Sequence, residues 1–261
     1  MKDRHKLLNY WSLERLPFVC DTVDRFYLGI PQRRVIAAVQ DWVRSGCHHA
    51  QVIAFPGCGL TTLLQYIAQA DGVAEQATEF LALNGNHRKL PHQSWDHAFD
   101  RSLADAMGFG PLNRSSGPAM IRTANRRALD ANRRRGIVNA ILIDGSVPPS
   151  VLSCHASELV ITSSRFRPSK HSSPSVSLHP LSAQETIAYL DRMIMLAGAR
   201  RELFDQSGKH QIHRKTNGRL KGIALVAQEA LRIAACNECR QVEVDHVNQS
   251  CNNVLNSRHA A

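Results

Sequence analysis

Five short apolar runs constrain this chain more than any other feature of its sequence: residues 51–55 (QVIAF), 79–83 (EFLAL), 139–144 (NAILID), 158–163 (ELVITS) and 176–179 (VSLH). Most are continuously apolar rather than alternating, as expected of strands covered on both faces of a parallel sheet. Helical patterns separate them: 32–44 before the first run, 61–70 after it, and both 92–107 and 118–135 between the second and third. Such alternation predicts an α/β sheet with right-handed crossovers. The connection from Asp144 to Glu158, with Pro148 and Pro149 in it, is too short for a full crossover helix.

Beyond Pro180 the pattern is helical only. Ser182 and Glu185 have the spacing of a capping box that opens a helix reaching about Ala197. A second helix is expected from near Phe204 to Thr216, stopped by Asn217-Gly218. A third spans 220–235, with Ile223, Val226, Ala227, Ala230, Leu231 and Ala234 at helical period. A short extended piece at 242–244 and a last helix at 245–254 follow. The chain therefore divides into an α/β base, 1–180, with an N-terminal lead-in segment at 1–45, and an all-helical lid, 181–261.

The 261 residues carry 43% hydrophobic and 21% charged side chains, an ordinary globular mixture. No run nears the roughly 18 apolar residues of a membrane span, and MKDRHKLLNY has no apolar core behind its charge. Seven scattered cysteines read as reduced thiols. A soluble, cytoplasmic chain without membrane insertion is expected. Its net charge of +10 is localised. Residues 111–140 hold seven Arg against Asp130 alone, and residues 200–221 hold seven basic residues against Glu202 and Asp205. Such patches attract phosphate-rich partners, and the Arg122, Arg126, Arg133 and Arg134 helix face is a candidate to lie along a nucleic-acid backbone. A solvated face with favourable C-terminal cations explains the same residues without a partner.

The segment Ala54-Phe55-Pro56-Gly57-Cys58-Gly59-Leu60-Thr61-Thr62 follows an apolar strand and opens a helix, the setting of a phosphate-binding loop. Such a loop needs glycines so that backbone N–H groups reach phosphate oxygens, a Lys for the β/γ charge, and a Ser/Thr hydroxyl for Mg²⁺. Gly57, Gly59 and Thr61 fall in frame. Ala54 stands where the first Gly belongs, and Leu60 where the Lys belongs. Asp144 ends an apolar strand as a metal-side acid would, but Gly145 and Ser146 follow where a carboxylate would orient the attacking water.

These pieces, in this order, resemble the AAA+ ATPases of the general secretion pathway protein A (ExeA-like) group, relatives of transposition-helper and origin-recognition ATPases. Trp11-Ser-Leu-Glu-Arg-Leu-Pro17-Phe18 is similar to that group's aromatic-x-L-x-x-x-P-F segment, and Asp24-Arg25-Phe26-Tyr27 to its D-x-R-F-[LY] stretch. Pro180-Leu181-Ser182-Ala183-Gln184-Glu185 with Tyr189 resembles its lead-in to the lid. Asn217-Gly218-Arg219-Leu220-Lys221 resembles its sensor-2 turn. The resemblance spans roughly residues 9–250. It implies a P-loop NTPase-like (AAA+) base, a five-stranded parallel sheet flanked by helices, followed by a small helical lid. It also implies ATP or ADP with Mg²⁺ as cofactors. Gly57, Cys58, Gly59, Leu60, Thr61 and Thr62 would then lie at the phosphates, Thr61 and Asp144 at Mg²⁺, Thr162 or Ser163 at the sensor-1 position, and Lys221 at sensor 2.

Leu60 and Gly145 depart from the group's pattern and imply weak nucleotide binding with hydrolysis impaired or lost. The expected function is a degenerate AAA+ ATPase-like regulatory or scaffolding subunit of a secretion- or DNA-associated assembly, with protein partners or a homo-oligomer. A nucleic-acid-binding adaptor of the transposition-helper type stays open beside it. So does an active ATPase with an unconventional site, in which Lys or Arg from elsewhere reaches the γ-phosphate. Cys236 and Cys239, with His246 and Cys251, have a spacing that fits no zinc finger we can name. Arg165 and Arg167 are candidates to act in trans, or simple surface residues. The thirteen His show no metalloprotease spacing.

Overall fold

The computed structural model describes residues 2–19, 25–70, 73, 77–83, 95–110, 116–145, 152–153, 155, 157–164 and 173–259. Asp24, Ser146, Pro148, Pro149, Arg165 and Arg167, singled out above, lie outside the described residues. The chain forms two compact units: Gln32–Phe55 with Leu60–Leu178, and Met1–Pro31 with Pro56–Gly59 and His179–Ala261. The first holds the sheet and the second holds the C-terminal helices. By spatial contact the first 31 residues group with the helices, whereas the sequence reading places them with the base.

The sheet unit contains most of α2 (Ile30–Arg44), then β1 (His49–Ala54), α3 (Leu60–Gln69), β2 (Thr78–Leu83), α4 (Trp95–Ala106), α5 (Pro118–Arg134), β3 (Val138–Ile143), β4 (Leu159–Ser164) and β5 (Ser175–Leu178). All strands are parallel, in the order β2-β3-β4-β1-β5. Each strand lies within two residues of its expected position, because uninterrupted apolar runs are what a sheet interior requires. Coverage is uneven, however. β3 and β4 are buried on both faces, whereas β1 alternates, with Ala50, Val52 and Ala54 buried and His49, Gln51 and Ile53 half-buried. One side of the sheet is closed by Phe99 and Leu103 of α4 and Leu129 of α5, packed on Leu81, Leu83, Ile141, Ile143 and Val160. Burying one such side chain contributes about 1.5–3 kcal/mol.

The helical unit comprises α1 (Lys2–Trp11), α6 (Ala183–Leu196), α7 (Gln206–Thr216), α8 (Leu220–Cys236) and α9 (Val244–His259). Helix α1 has weak amphipathic character and was not foreseen. It is held by tertiary contacts: Trp11 is 2% exposed and donates its indole N–H to the Leu231 carbonyl at 3.1 Å. The expected capping box is complete. The Glu185 amide donates to Ser182 Oγ at 3.2 Å, and the Ser182 amide to Glu185 Oε2 at 3.0 Å. Helix α7 ends at Asn217 in the left-handed conformation, φ 49°. Gly218 follows with φ 70°, and a Cβ there would lie 1.9 Å from the Leu181 carbonyl oxygen, so only glycine fits. The short extended piece at Val242 bridges to Phe204, with the Val242 amide donating to the Leu203 carbonyl at 2.7 Å.

Candidate functional site

In the sheet unit, β1 lies beside β4, so the carboxyl ends of β3 and β4 and the start of α3 supply neighbouring groups. Ligands of open α/β sheets bind at such strand ends. Three of the expected residues meet here. The Thr61 hydroxyl, in the first turn of α3, donates to Asp144 Oδ2, and the Ser163 hydroxyl donates to Asp144 Oδ1 at 3.2 Å. Of the two sequence candidates Thr162 and Ser163, strand alternation brings only Ser163 to this cluster. Thr162 is buried, and its hydroxyl lies 3.3 Å from His49 Nε2 on β1, away from this cluster. Thr62 and Leu60 are half-buried at the start of α3.

Two hydroxyls and a carboxylate are hard oxygen donors of the kind Mg²⁺ accepts. Their chemistry fits the metal that the loop context implies: Thr61 and Asp144 would hold it, and the ion would neutralise phosphate charge. The three groups satisfy one another, which keeps an Asp144 carboxylate at the end of a buried strand tolerable.

The position after Asp144 differs in backbone as well as side chain. Gly145 has φ 145°, donates to the Ile143 carbonyl at 3.0 Å and accepts the Ser163 amide at 3.2 Å. Residues with a Cβ rarely adopt that conformation. A glutamate here would be strained, so this turn does not accommodate an acid by a single substitution.

In the helical unit, Gly57 and Gly59 both adopt the left-handed conformation, φ 84° and 83°. A Cβ on Gly59 would lie 3.1 Å from Leu220 Cδ1. Among the described residues, no backbone carbonyl accepts from the N–H of Gly57, Cys58 or Gly59. Consecutive amides around glycines of positive φ are the raw material of an anion nest. The turn expected to supply sensor 2 touches this loop: the Lys221 amide donates to the Gly57 carbonyl at 2.9 Å. Cys58 is 2% exposed; burial pushes its thiol up, and the Arg219 charge opposes that shift. Its side chain therefore faces protein, leaving only its backbone for a ligand. Arg219, named in the sequence only as part of that turn and given no role, is the charge that acts on Cys58. Arg219 and Lys221 are both exposed.

The helix α5 arginines do not form a plain basic stripe. Arg122 Nε pairs with Asp100 Oδ2 at 2.8 Å. Arg133 pairs with Glu158 Oε1 at 2.5 Å and Asp130 Oδ1 at 3.2 Å. Those carboxylates come largely from other elements, so a helix-face reading could not see them. Arg126, Arg127, Arg134 and Arg135 are exposed. Among the described residues, no cluster of three or more His, Cys, Asp or Glu side chains is arranged for a metal ion. His246 Nδ1 accepts the Glu243 amide at 3.0 Å, a cap for α9, and Cys236 is exposed while Cys251 is buried. No described helix is long and apolar enough to cross a membrane.

The sheet order, the crossover helices and the C-terminal helices define the AAA+ fold. No family model and no curated protein matches the chain. Solved structures do. Drosophila ORC bound to DNA is similar over 96% of this chain at 15% identity and TM-score 0.64. The Aeropyrum pernix ORC2 protein, solved as ADPNP–ADP complexes, is similar over 92% at 12% identity and TM-score 0.63. The Thermotoga maritima RuvB Holliday junction branch migration motor is similar over 90% at 11% identity and TM-score 0.52. The chain spans 66%, 71% and 72% of those chains. At such identities the likeness is one of fold.

Proposed function

We propose that this protein is a degenerate AAA+ module of the general secretion pathway protein A type, which binds Mg·ATP or Mg·ADP weakly and does not turn it over. The Thr61–Asp144–Ser163 oxygen cluster carries the reading. It keeps the metal side of a P-loop site, while Leu60 removes the lysine charge and Gly145 the catalytic acid. Losing one partner of a close charge pair typically costs about 2–5 kcal/mol, roughly 30-fold or more in affinity. A module that senses nucleotide without spending it suits a regulatory or scaffolding subunit. That the ORC2 relative was solved with ADPNP and ADP supports the choice of ligand. Calorimetric titration with Mg·ATP and Mg·ADP tests it: saturable, Mg²⁺-dependent binding is expected, and no binding at about 10 mM nucleotide would sink it. Steady turnover would instead favour an unconventional active site in which Arg219 or Lys221 supplies the charge.

A second reading, a nucleic-acid-binding adaptor, draws on the exposed Arg126, Arg127, Arg134 and Arg135 and on the DNA-bound state of the Drosophila relative. It requires duplex affinity that falls steeply with salt.

A further inference from the structure

The segment between α7 and α8 carries two cations, Arg219 and Lys221. Both are exposed, and among the described residues neither side chain has a hydrogen-bond or ion-pair partner. On α5, by contrast, Arg122 and Arg133 already hold carboxylates. An exposed cation is solvated well enough by water to need no ligand. What singles out this pair is where the two stems lie.

Residues 219–221 pack on the glycine loop, inside the helical unit. A Cβ on Gly57 would meet Lys221 Cβ at 3.6 Å and Arg219 Cβ at 3.7 Å, and one on Gly59 would meet Leu220 Cδ1 at 3.1 Å. The bond from the Lys221 amide to the Gly57 carbonyl fixes that contact. The two heads are not equivalent, however. The Cys58 thiol, buried between the two glycines, feels the charge of Arg219. A guanidinium extended into solvent away from the loop would be screened from it. Arg219 therefore directs its charge toward the loop that Leu60 leaves without a lysine.

We propose that Arg219 is a phosphate-binding residue of the nucleotide site, its guanidinium supplying from the helical unit the positive charge that Leu60 withholds. The inference rests on the nucleotide reading and names the residue that carries affinity within it. It differs from the expectation drawn from resemblance, which gives the cationic role to Lys221. A guanidinium presents five N–H donors in a rigid fork and takes phosphate oxygens two at a time. A cation alone gives binding and not turnover, since Gly145 still offers no carboxylate.

Calorimetric titration of Mg·ADP and Mg·ATP into the full chain and its variants tests the proposal. Arg219→Ala should weaken both nucleotides about tenfold, Arg219→Lys should recover part of that loss, and Lys221→Ala should cost less than about threefold. An exposed side chain can be removed without moving the denaturant midpoint, which separates lost binding from lost fold. In a Leu60→Lys background Arg219→Ala should cost less than in the parent, because two cations then serve the same phosphates. Unchanged affinity in Arg219→Ala, a larger loss in Lys221→Ala, or equal costs in the two backgrounds overturns the inference and leaves the nucleotide reading standing. A parent chain that binds neither nucleotide overturns both.

Discussion

The turn at Gly218 and the turn at Gly145 are both glycine turns beside a motif, yet they do opposite things. In the helical unit, Gly218 is demanded by packing: the Leu181 amide donates to its carbonyl at 2.9 Å, and the Leu181 oxygen leaves no room for a Cβ. That turn ties the residues before α6 to the segment between α7 and α8, so its glycine is demanded by the fold itself. In the sheet unit, Gly145, the position where the proposed reading places the lost acid, has a backbone bent away from what a glutamate adopts. On the reading proposed above, the fold's turn is retained while a position that phosphoryl transfer would use is not.

The sharpest way to break this contrast is Gly218→Ala. Collision with a backbone oxygen together with a left-handed φ should cost about 3 kcal/mol or more, read as a shift in the denaturant midpoint. Gly136, at φ 75° with nothing near its missing Cβ, is the control: Gly136→Ala should cost about 1 kcal/mol. Equal losses would mean that the Gly218 contact is not tight in solution.

On the ligand side, Leu60→Lys should tighten Mg·ATP about 30-fold, since it restores one partner of a charge pair. Adding Gly145→Glu should not restore turnover, because the strained turn misplaces the new carboxylate. Phosphate release by the double variant would show instead that two side chains were all that was lost. Asp144→Ala should weaken Mg²⁺-dependent binding about tenfold or more, with EDTA abolishing the difference between the variant and the parent.

Glu158 offers a test through pH. Burial alone would raise its pKa, but hydrogen bonds from His155 and Ser157 and the charges of His155 and Arg133 outweigh it and hold the carboxyl below the usual range. A carboxyl depressed in the folded state stabilises fully above its unfolded value, about 4.3, and loses that contribution as pH falls through the folded value. Glu158→Gln should therefore remove part of the acid limb of a stability–pH curve and leave that limb flatter. The smallest effect concerns DNA. Replacing Arg126 and Arg134 with Ala should lower the salt slope of duplex binding by about two if the adaptor reading is right.

Much of this was legible from sequence because it is local. The Ser182–Glu185 box, the Asn217-Gly218 stop and the apolar strands are set by residues within a few positions of one another. Helix α1 was not legible: its stability comes from contacts such as Trp11 with Leu231, 220 residues away. The site was half legible. The loop glycines and Asp144 stand out in the chain, but that Ser163 rather than Thr162 reaches Asp144 follows from the fold of β4. Asp100 and Glu158, which partner Arg122 and Arg133, come from α4 and from the residues before β4, so the arginine face looked more basic than it is.

The central claim, a cradle that holds nucleotide without cleaving it, meets its most direct test in one ³¹P NMR experiment on the full chain mixed with Mg·ATP. Broadened and shifted ATP resonances that remain ATP over a day are the predicted result. Sharp, unshifted signals, or the growth of ADP and inorganic phosphate at the expense of ATP, would contradict it.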